Sequence, residues 1–353
     1  MITLTTDLPL LDAALKAEVS DLHLHTRRTA FWRIQGDLVL SDPAFECTST
    51  LNALIGLLEK NGRPVPIVGK VDFGFNYHGR RFRASLYKTL GELAGVLRLI
   101  PNHHLPIDKI GVPPAFIQVL NEQRGLFLVS GATGDGKSTT LAAAVSYLTE
   151  RIKGKIITLE DPVEYLHADK HAIVDQLELG SDFSDFNSAL EGALRQDPDV
   201  ILVGELRDFA TFETACHAAT TGHLVLASVH GESATKTIAR IVDTFPEKVR
   251  SEQRARFAQV LSAIYCQQLV KTAQGARTAI GEFMVSTEAI RNLIRDNRLD
   301  SIPGEIRTGT KHGMRSMDMH LAQLLRTKVL TEAEARGRCL YPDQFTQLLS
   351  YSK

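Results

Sequence analysis

Apolar positions along the first hundred residues switch between two periods. Leu8–Lys16 repeats at helical spacing and predicts a short helix, whereas Ser20–Thr26 alternates, with Leu22 and Leu24 on one face and His23 and His25 on the other, as a half-buried strand does. Ala30–Leu40 predicts a hairpin turning at Gln35-Gly36-Asp37, and Val71–Tyr77 with Arg80–Tyr87 a second, turning at His78-Gly79. Helix and strand mixed in this way predict an α+β domain over residues 1–100. Pro101, Pro106, Pro113 and Pro114 then cluster with Gly111, which neither regular element tolerates, so 101–114 is expected to be a linker. From 115 to 353 the pattern changes again. Apolar strands at Leu126–Ser130, Ile156–Leu159, Val200–Val203 and Leu224–Val229 alternate with helical segments, including Thr139–Arg151 and Asp185–Arg195. In the second of these, Phe186, Leu190, Ala193 and Leu194 share one face. Alternating β and α units predict an α/β domain with a largely parallel sheet, and the last part of the chain reads as mainly helical.

Composition agrees with two folded domains: 353 residues, 44% hydrophobic and 23% charged, which excludes a disordered tail, a fibre and a disulfide-stapled miniature. Forty Lys+Arg against 41 Asp+Glu leave a net charge of −1, and no aromatic-and-basic stretch is evident. Direct nucleic-acid binding is therefore not expected. Cys47, Cys216, Cys266 and Cys339 include no C-x-x-C pair, the usual sign of a zinc or redox site, and suit reduced thiols. The N-terminus carries Asp7 and Asp12 where a signal peptide needs basic and then apolar residues, and no run approaches the ~20 apolar residues of a membrane span. A cytoplasmic protein without a membrane span is expected.

Gly131-Ala132-Thr133-Gly134-Asp135-Gly136-Lys137-Ser138 fulfils G-x-x-x-x-G-K-[ST], with a predicted strand entering and a helix, opening at Thr139, leaving. Successive backbone N–H groups there can wrap a phosphate at a helix N-terminus; Lys137 can bridge β- and γ-phosphates and the Ser138 hydroxyl can ligate Mg²⁺. ATP and Mg²⁺ are the expected ligands. Hydrolysis also needs carboxylates near the γ-phosphate. Two strand-end loops offer them: Glu160-Asp161-Pro162-Val163-Glu164 and Gly204-Glu205-Leu206-Arg207-Asp208. Asp208 has a structural reading as helix N-cap. His223 and His230 bracket the strand Leu224–Val229, where one can meet the γ-phosphate and the pair can signal across the sheet.

TLEDPVEYLH, QDPDVILVGELRD and TGHLVLASVH closely resemble the Asp box, Walker B and His box of the secretion-motor ATPases of type II and type IV secretion and type IV pili. SDLHLHTRR with RIQGDL, GRRFRAS with GVLRLIP, AIRNLIR and GMRSMDMHL are most similar to the pilus retraction (twitching motility) branch, PilT-like, over roughly residues 20–325. The resemblance implies a PAS-like α+β N-terminal domain, a RecA-like P-loop ATPase domain with a mostly helical C-terminal part, and a homohexameric motor. The motor would work at the inner face of the cytoplasmic membrane on an inner-membrane pilus platform protein. It further implies that residues 131–139 bind nucleotide, that Glu164 activates water, that Glu205 organises Mg²⁺ and that water, and that His230 senses the γ-phosphate. Arg81, Arg83 and Arg98 match arginines the family directs at nucleotide.

Two departures stand out. Asp135 occupies a loop position where Ser is commoner, so its charge must reach solvent or find a partner; Ser228-Val229-His230-Gly231-Glu232-Ser233 replaces a more usual Thr-Leu-His-Thr-Asn-Ser. The alternative reading is the ATPase of a type IVb pilus assembly or conjugative type IV secretion system. An assembly ATPase usually carries a paired C-x-x-C zinc site, which this chain lacks. In the helix predicted over Ser286–Asn297, Ile290, Leu293 and Ile294 form an apolar face and Arg291, Arg295 and Arg298 a basic stripe.

Overall fold

The structure, a computed structural model, describes residues 2–17, 19–34, 37–62, 65, 69–100 and 105–350. Two compact units divide the chain: Met1–His103 with Pro162–Leu166, and His104–Asp161 with His167–Lys353.

The first unit runs α1 (Pro9–Lys16), β1 (Asp21–His25), β2 (Arg28–Ile34), β3 (Asp37–Leu40), α2 (Cys47–Lys60), β4 (Lys70–Tyr77), β5 (Arg80–Thr89) and β6 (Glu92–Leu99). Its strands form an antiparallel sheet in the order β3-β2-β1-β6-β5-β4. Period-two alternation decides which side chains enter the core: Leu22 and Leu24 of β1 and Phe82, Ala84 and Leu86 of β5 are buried with Leu51 and Leu54 of α2. The Tyr77 hydroxyl fastens α1 to this sheet, accepting from the Leu8 N–H at 2.9 Å and donating to Asp12 at 2.7 Å. The β4–β5 hairpin turns at His78 (φ 45°) and Gly79 (φ 72°), the two left-handed residues that match strand twist. The β2–β3 hairpin pairs Ile34 with Asp37, and the expected turn residues Gln35 and Gly36 lie outside the described residues. A third hairpin, β5–β6, had no sequence signal. Its turn places Leu90 at φ 49°, a conformation in which Leu is rare.

The second unit opens, past the part of the expected linker (101–104) outside the described residues, with α3 (Pro114–Asn121), β7 (Gly125–Ser130), α4 (Lys137–Thr149), β8 (Lys155–Glu160) and β9 (Ile173–Glu178). Then come α5 (Phe186–Ala193), β10 (Val200–Val203), α6 (Phe209–Thr220), β11 (Leu224–Val229), α7 (Ala234–Asp243), α8 (Arg250–Val260), β12 (Leu261–Lys271) and β13 (Arg277–Val285). Helices α9 (Glu288–Arg295), α10 (Ile302–Thr308), α11 (Met317–Arg326), α12 (Glu332–Arg338) and α13 (Pro342–Ser350) follow. Among the described residues the sheet order is β13-β12-β7-β11-β10-β8-β9, parallel except for β13. Both faces are covered. Phe127 and Val129 point to α3 and α4, while Leu126 and Leu128 join the cluster built with α5 to α10. Strands β9, β12 and β13 had not been anticipated; β12 and β13 are buried on both sides and lack the alternation that marks a half-exposed strand.

Side-chain oxygens close the helix starts: Asp185, Asp208, Ser233, Thr287, Ser316 and Thr331 each accept a backbone N–H of the first turn. Ile290 and Ile294 of α9 are fully buried and Leu293 partly so, all packed into the main core. The apolar face of α9 is thus core, and its truncation at Ile294 to Ala should cost about 2–5 kcal/mol of stability.

A buried carboxylate joins two helices of this unit. Glu282 on β13 accepts the N–H of Ala234, first residue of α7, at 2.8 Å and that of Met317, first residue of α11. Burial, and then the Asp318 carboxylate, push its pKa from 4.5 up to about 7. Nearby His320 takes the Gly281 N–H on Nδ1 at 3.0 Å; burial and then Arg315 push it from 6.5 down to about 3. The two oppose each other. The stability Glu282 contributes is complete below pH 4.5 and lost as pH rises through about 7; that of His320 is present above pH 6.5 and lost as pH falls through about 3. Measured against Glu282→Gln, in which the His320 contribution cancels, the wild-type protein should therefore lose stability as pH rises from 4.5 to 7, by at most about 1.4 kcal/mol per pH unit. Paired denaturant melts across that window check this; a wild-type stability that holds level or rises relative to Glu282→Gln as pH increases would refute it.

Candidate functional site

Strand β7 delivers the chain into the loop 131–136, and Gly136, at φ 81°, caps the start of α4. Only glycine fits at two points here. A Cβ at Gly131 would lie 2.5 Å from the Gln267 carbonyl oxygen, and one at Gly136 2.9 Å from the Gln267 side-chain amide, because β12 passes directly behind the loop. Lys137 Nζ donates to the carbonyls of Gly131 (2.9 Å) and Ala132 (3.0 Å), while Ser138 and Thr139 occupy the first turn of α4. The charge at Asp135 has found partners rather than solvent: Oδ2 accepts the Ala132 N–H at 2.8 Å and Oδ1 the Leu269 N–H at 3.2 Å. The Gln267 amide donates to the Asp135 carbonyl at 2.6 Å and accepts from the Thr140 hydroxyl at 2.5 Å.

Strand β11 lies between β7 and β10, and the ladders align Ser130 with Val229 and Val203 with Ala227. Loops carrying the phosphate motif, His230 and Glu205 therefore leave one edge of the sheet side by side. His230 Nε2 lies 2.9 Å from Glu205 Oε1, and its Nδ1 lies 3.3 Å from the Gly131 carbonyl. The other oxygen of Glu205 accepts from Arg207 Nε at 2.8 Å, and Arg207 also lies 3.6 Å from Asp161. Hydroxyls hold these loop roots in place: Ser130 bonds the Gly231 carbonyl at 2.7 Å and Ser228 donates to the Gly204 carbonyl at 2.5 Å. A cavity of about 320 Å³ opens beside Glu205 and His230, bordered by Phe212, Arg240 and Thr244. Ser138 and Glu205 supply hydroxyl and carboxylate oxygens, the hard donors that suit Mg²⁺ alongside nucleotide phosphates.

His223 sits at the opposite end of β11, where Nδ1 meets the Ala218 carbonyl at 2.9 Å and closes the end of α6. Asp208 is the N-cap of α6, as expected. The extra carboxylate Glu232 is exposed and paired with Lys236 one helical turn on, which lowers its pKa.

Glu164 and the three arginines belong to the first unit. Arg83 and Arg98 are cross-strand neighbours on β5 and β6, and Arg81 lies two residues along β5. All three occupy the sheet face opposite Phe82, Ala84 and Leu86. Arg81 is 2% exposed with Asn76 Oδ1 at 3.4 Å, Arg83 lies 3.6 Å from Glu164, and Arg98 donates to Asp21 at 2.7 Å. Sequence reasoning missed Thr140, Gln267 and Arg207. Arg207 was visible two residues from Glu205, but nothing local links Gln267 to a loop 132 residues earlier.

Comparison with known proteins places these features. The chain is 37% identical over 339 residues to the type IV pilus retraction ATPase PilT of Pseudomonas aeruginosa, covering 95% of this chain and 98% of the relative. It is 38% identical over 314 residues to a twitching motility protein of Neisseria gonorrhoeae, 88% of this chain and 84% of that one. The crystal structure of the pilus retraction motor PilT with bound ADP superposes with a TM-score of 0.86 at 34% identity, over 96% of this chain and 98% of that one. Residues 4–327, which include the phosphate loop, Glu164, Glu205 and His230, match the family described as type II/IV secretion system protein, and to that family this chain belongs.

Proposed function

We propose that this protein is an ATP-hydrolysing motor that powers type IV pilus retraction, and with it twitching motility. The observation that carries the proposal is Glu205, clamped between His230 and Arg207 on the sheet edge that bears the phosphate loop, in a chain matching a pilus retraction ATPase over 95% of its length. The proposal includes a homohexamer acting from the cytoplasmic side on an inner-membrane platform protein. No helix among the described residues is long and apolar enough to cross a membrane. An antiparallel sheet with α1 and α2 on one face supports a PAS-like reading of residues 1–100, and the order of the second sheet supports a RecA-like reading of 115–353, with 101–114 between them.

In this scheme residues 131–139 surround the phosphates of ATP, and Lys137 leaves the Gly131 and Ala132 carbonyls to bridge β- and γ-oxygens. Ser138 and Glu205 hold Mg²⁺, which when bound neutralises phosphate charge. The Glu164 carboxylate takes a proton from the attacking water. The water oxygen bonds to the γ-phosphorus as the bond to the β–γ bridging oxygen breaks, leaving ADP and phosphate. Arg81, Arg83 and Arg98 supply positive charge for the transition state. His230, touching Gly131 on one side and Glu205 on the other, is placed to register whether the γ-phosphate is present.

Three measurements test this. Lys137→Ala should abolish ATP turnover in the purified protein with an unchanged melting temperature; a near-normal rate would remove the phosphate-site assignment. Glu164→Gln should retain Mg-ATP binding and lose turnover by at least about 10²-fold, the scale of a missing general base, whereas Glu205→Ala should also weaken the Mg²⁺ dependence. Deleting the gene should leave pili assembled and twitching lost; absent pili would instead indicate an assembly motor.

A further inference from the structure

Strand β12 is longer than the strand beside it. Its ladder to β7 ends at Cys266 opposite Ser130, yet β12 continues to Lys271. Beyond Cys266 the edge that faced β7 has no strand to pair with among the described residues. A half-buried backbone N–H left there without a partner costs free energy. The phosphate loop turns back over this overhang, and the Leu269 N–H finds the Asp135 carboxylate at 3.2 Å. The second oxygen of the same carboxylate takes the Ala132 N–H at 2.8 Å, from the opposite limb of the loop. A parallel link runs from Gln267, one turn of the pleat earlier, to the Asp135 carbonyl and to Thr140 of α4.

We infer that Asp135 is a positioning residue that fastens the phosphate loop to the overhang of β12, so that the loop is already shaped for a nucleoside diphosphate before one arrives. The inference rests on the phosphate-site reading above and adds a role that touches no nucleotide atom. Two oxygens on one rigid group are required, because the two donors come from different directions. A serine in this position has a single oxygen, one bond from Cβ, and cannot reach both. The tether also resolves why a negative charge is tolerated in a phosphate loop: its two oxygens are already engaged by two N–H dipoles. A loop ordered in advance avoids an entropy cost that binding would otherwise meet.

The tether and plain electrostatics make opposite forecasts. If Asp135 were only an unfavourable charge, removing it would tighten binding of anionic nucleotide. If it is a tether, removal weakens binding. The experiment titrates Mg-ADP into the full-length wild type, Asp135→Ala and Asp135→Asn by calorimetry, and follows amide hydrogen exchange at Ala132 and Leu269 in the nucleotide-free proteins. Asp135→Ala should lose at least about tenfold in affinity, the scale of one charge-assisted hydrogen bond, with faster exchange at both amides. Asp135→Asn keeps one acceptor without the charge and should recover part of both effects; it also stands in should the alanine variant not fold. Equal or tighter Mg-ADP binding in Asp135→Ala, or unchanged exchange at Leu269, overturns the inference. The exchange arm needs no nucleotide, so a wild-type protein that failed to bind Mg-ADP would sink the ATPase reading and leave the tether to be judged on its own.

Discussion

Ladder hydrogen bonds among β7, β11 and β10 fix where three separate loops leave the sheet, and the chemistry depends on that register. Ser130 opposite Val229, and Val203 opposite Ala227, bring Gly131 and Glu205 to one edge, each within hydrogen-bonding distance of His230. Side chains alternate along a strand with period two, so a slip of one residue in either ladder would send a strand's core side chains to the other face and shift its loop along the edge. Buried, β-branched and leucine-rich strands resist such a slip because both faces are committed to cores. The placement of the site is therefore inherited from apolar packing on both faces of the sheet.

A second layer of polar contacts ties that edge to the rest of the unit. Ser130 and Thr237 meet at 2.7 Å beneath the loop that follows His230, and Glu282 receives the first N–H of α7 just beyond it. Through the same carboxylate the N-terminus of α11 is held as well. Each of these groups is buried, and each is placed where a helix terminus or loop would otherwise leave a polar group without a partner. The loop carrying His230 is thus continuous, by hydrogen bonds, with the helices at the C-terminal end. A movement of His230 has a physical route to them.

The two departures from the family pattern have different physical outcomes. Glu232 stands beside His230 in sequence but turns outward to Lys236, an exposed i,i+4 pair of the sort that contributes little. Asp135 turns inward, where its two oxygens complete hydrogen bonds that the end of β7 leaves open. Burial and the number of available donors, rather than charge, separate the two cases.

Local patterns determined much by themselves. The alternation of Ser20–Thr26, the His78-Gly79 turn, the four apolar strands after residue 115 and the cap at Asp208 all follow from interactions within a few residues, which a single chain segment carries with it. The phosphate motif and the strand-end positions of Glu205 and His230 were legible for the same reason. Strands β12 and β13 were not, because a strand buried on both faces has no alternation and gains its identity from the neighbours it packs between. The turn at Leu90 was not, because its conformation is imposed by the strands on either side against the preference of the residue. Nor did the sequence disclose that Arg207 shares Glu205 with His230, or that Asp135 and Gln267 bind a loop to a strand more than 130 residues away. Those contacts exist only once the sheet order is set, since it is the parallel ladder, and not the chain, that makes distant residues neighbours.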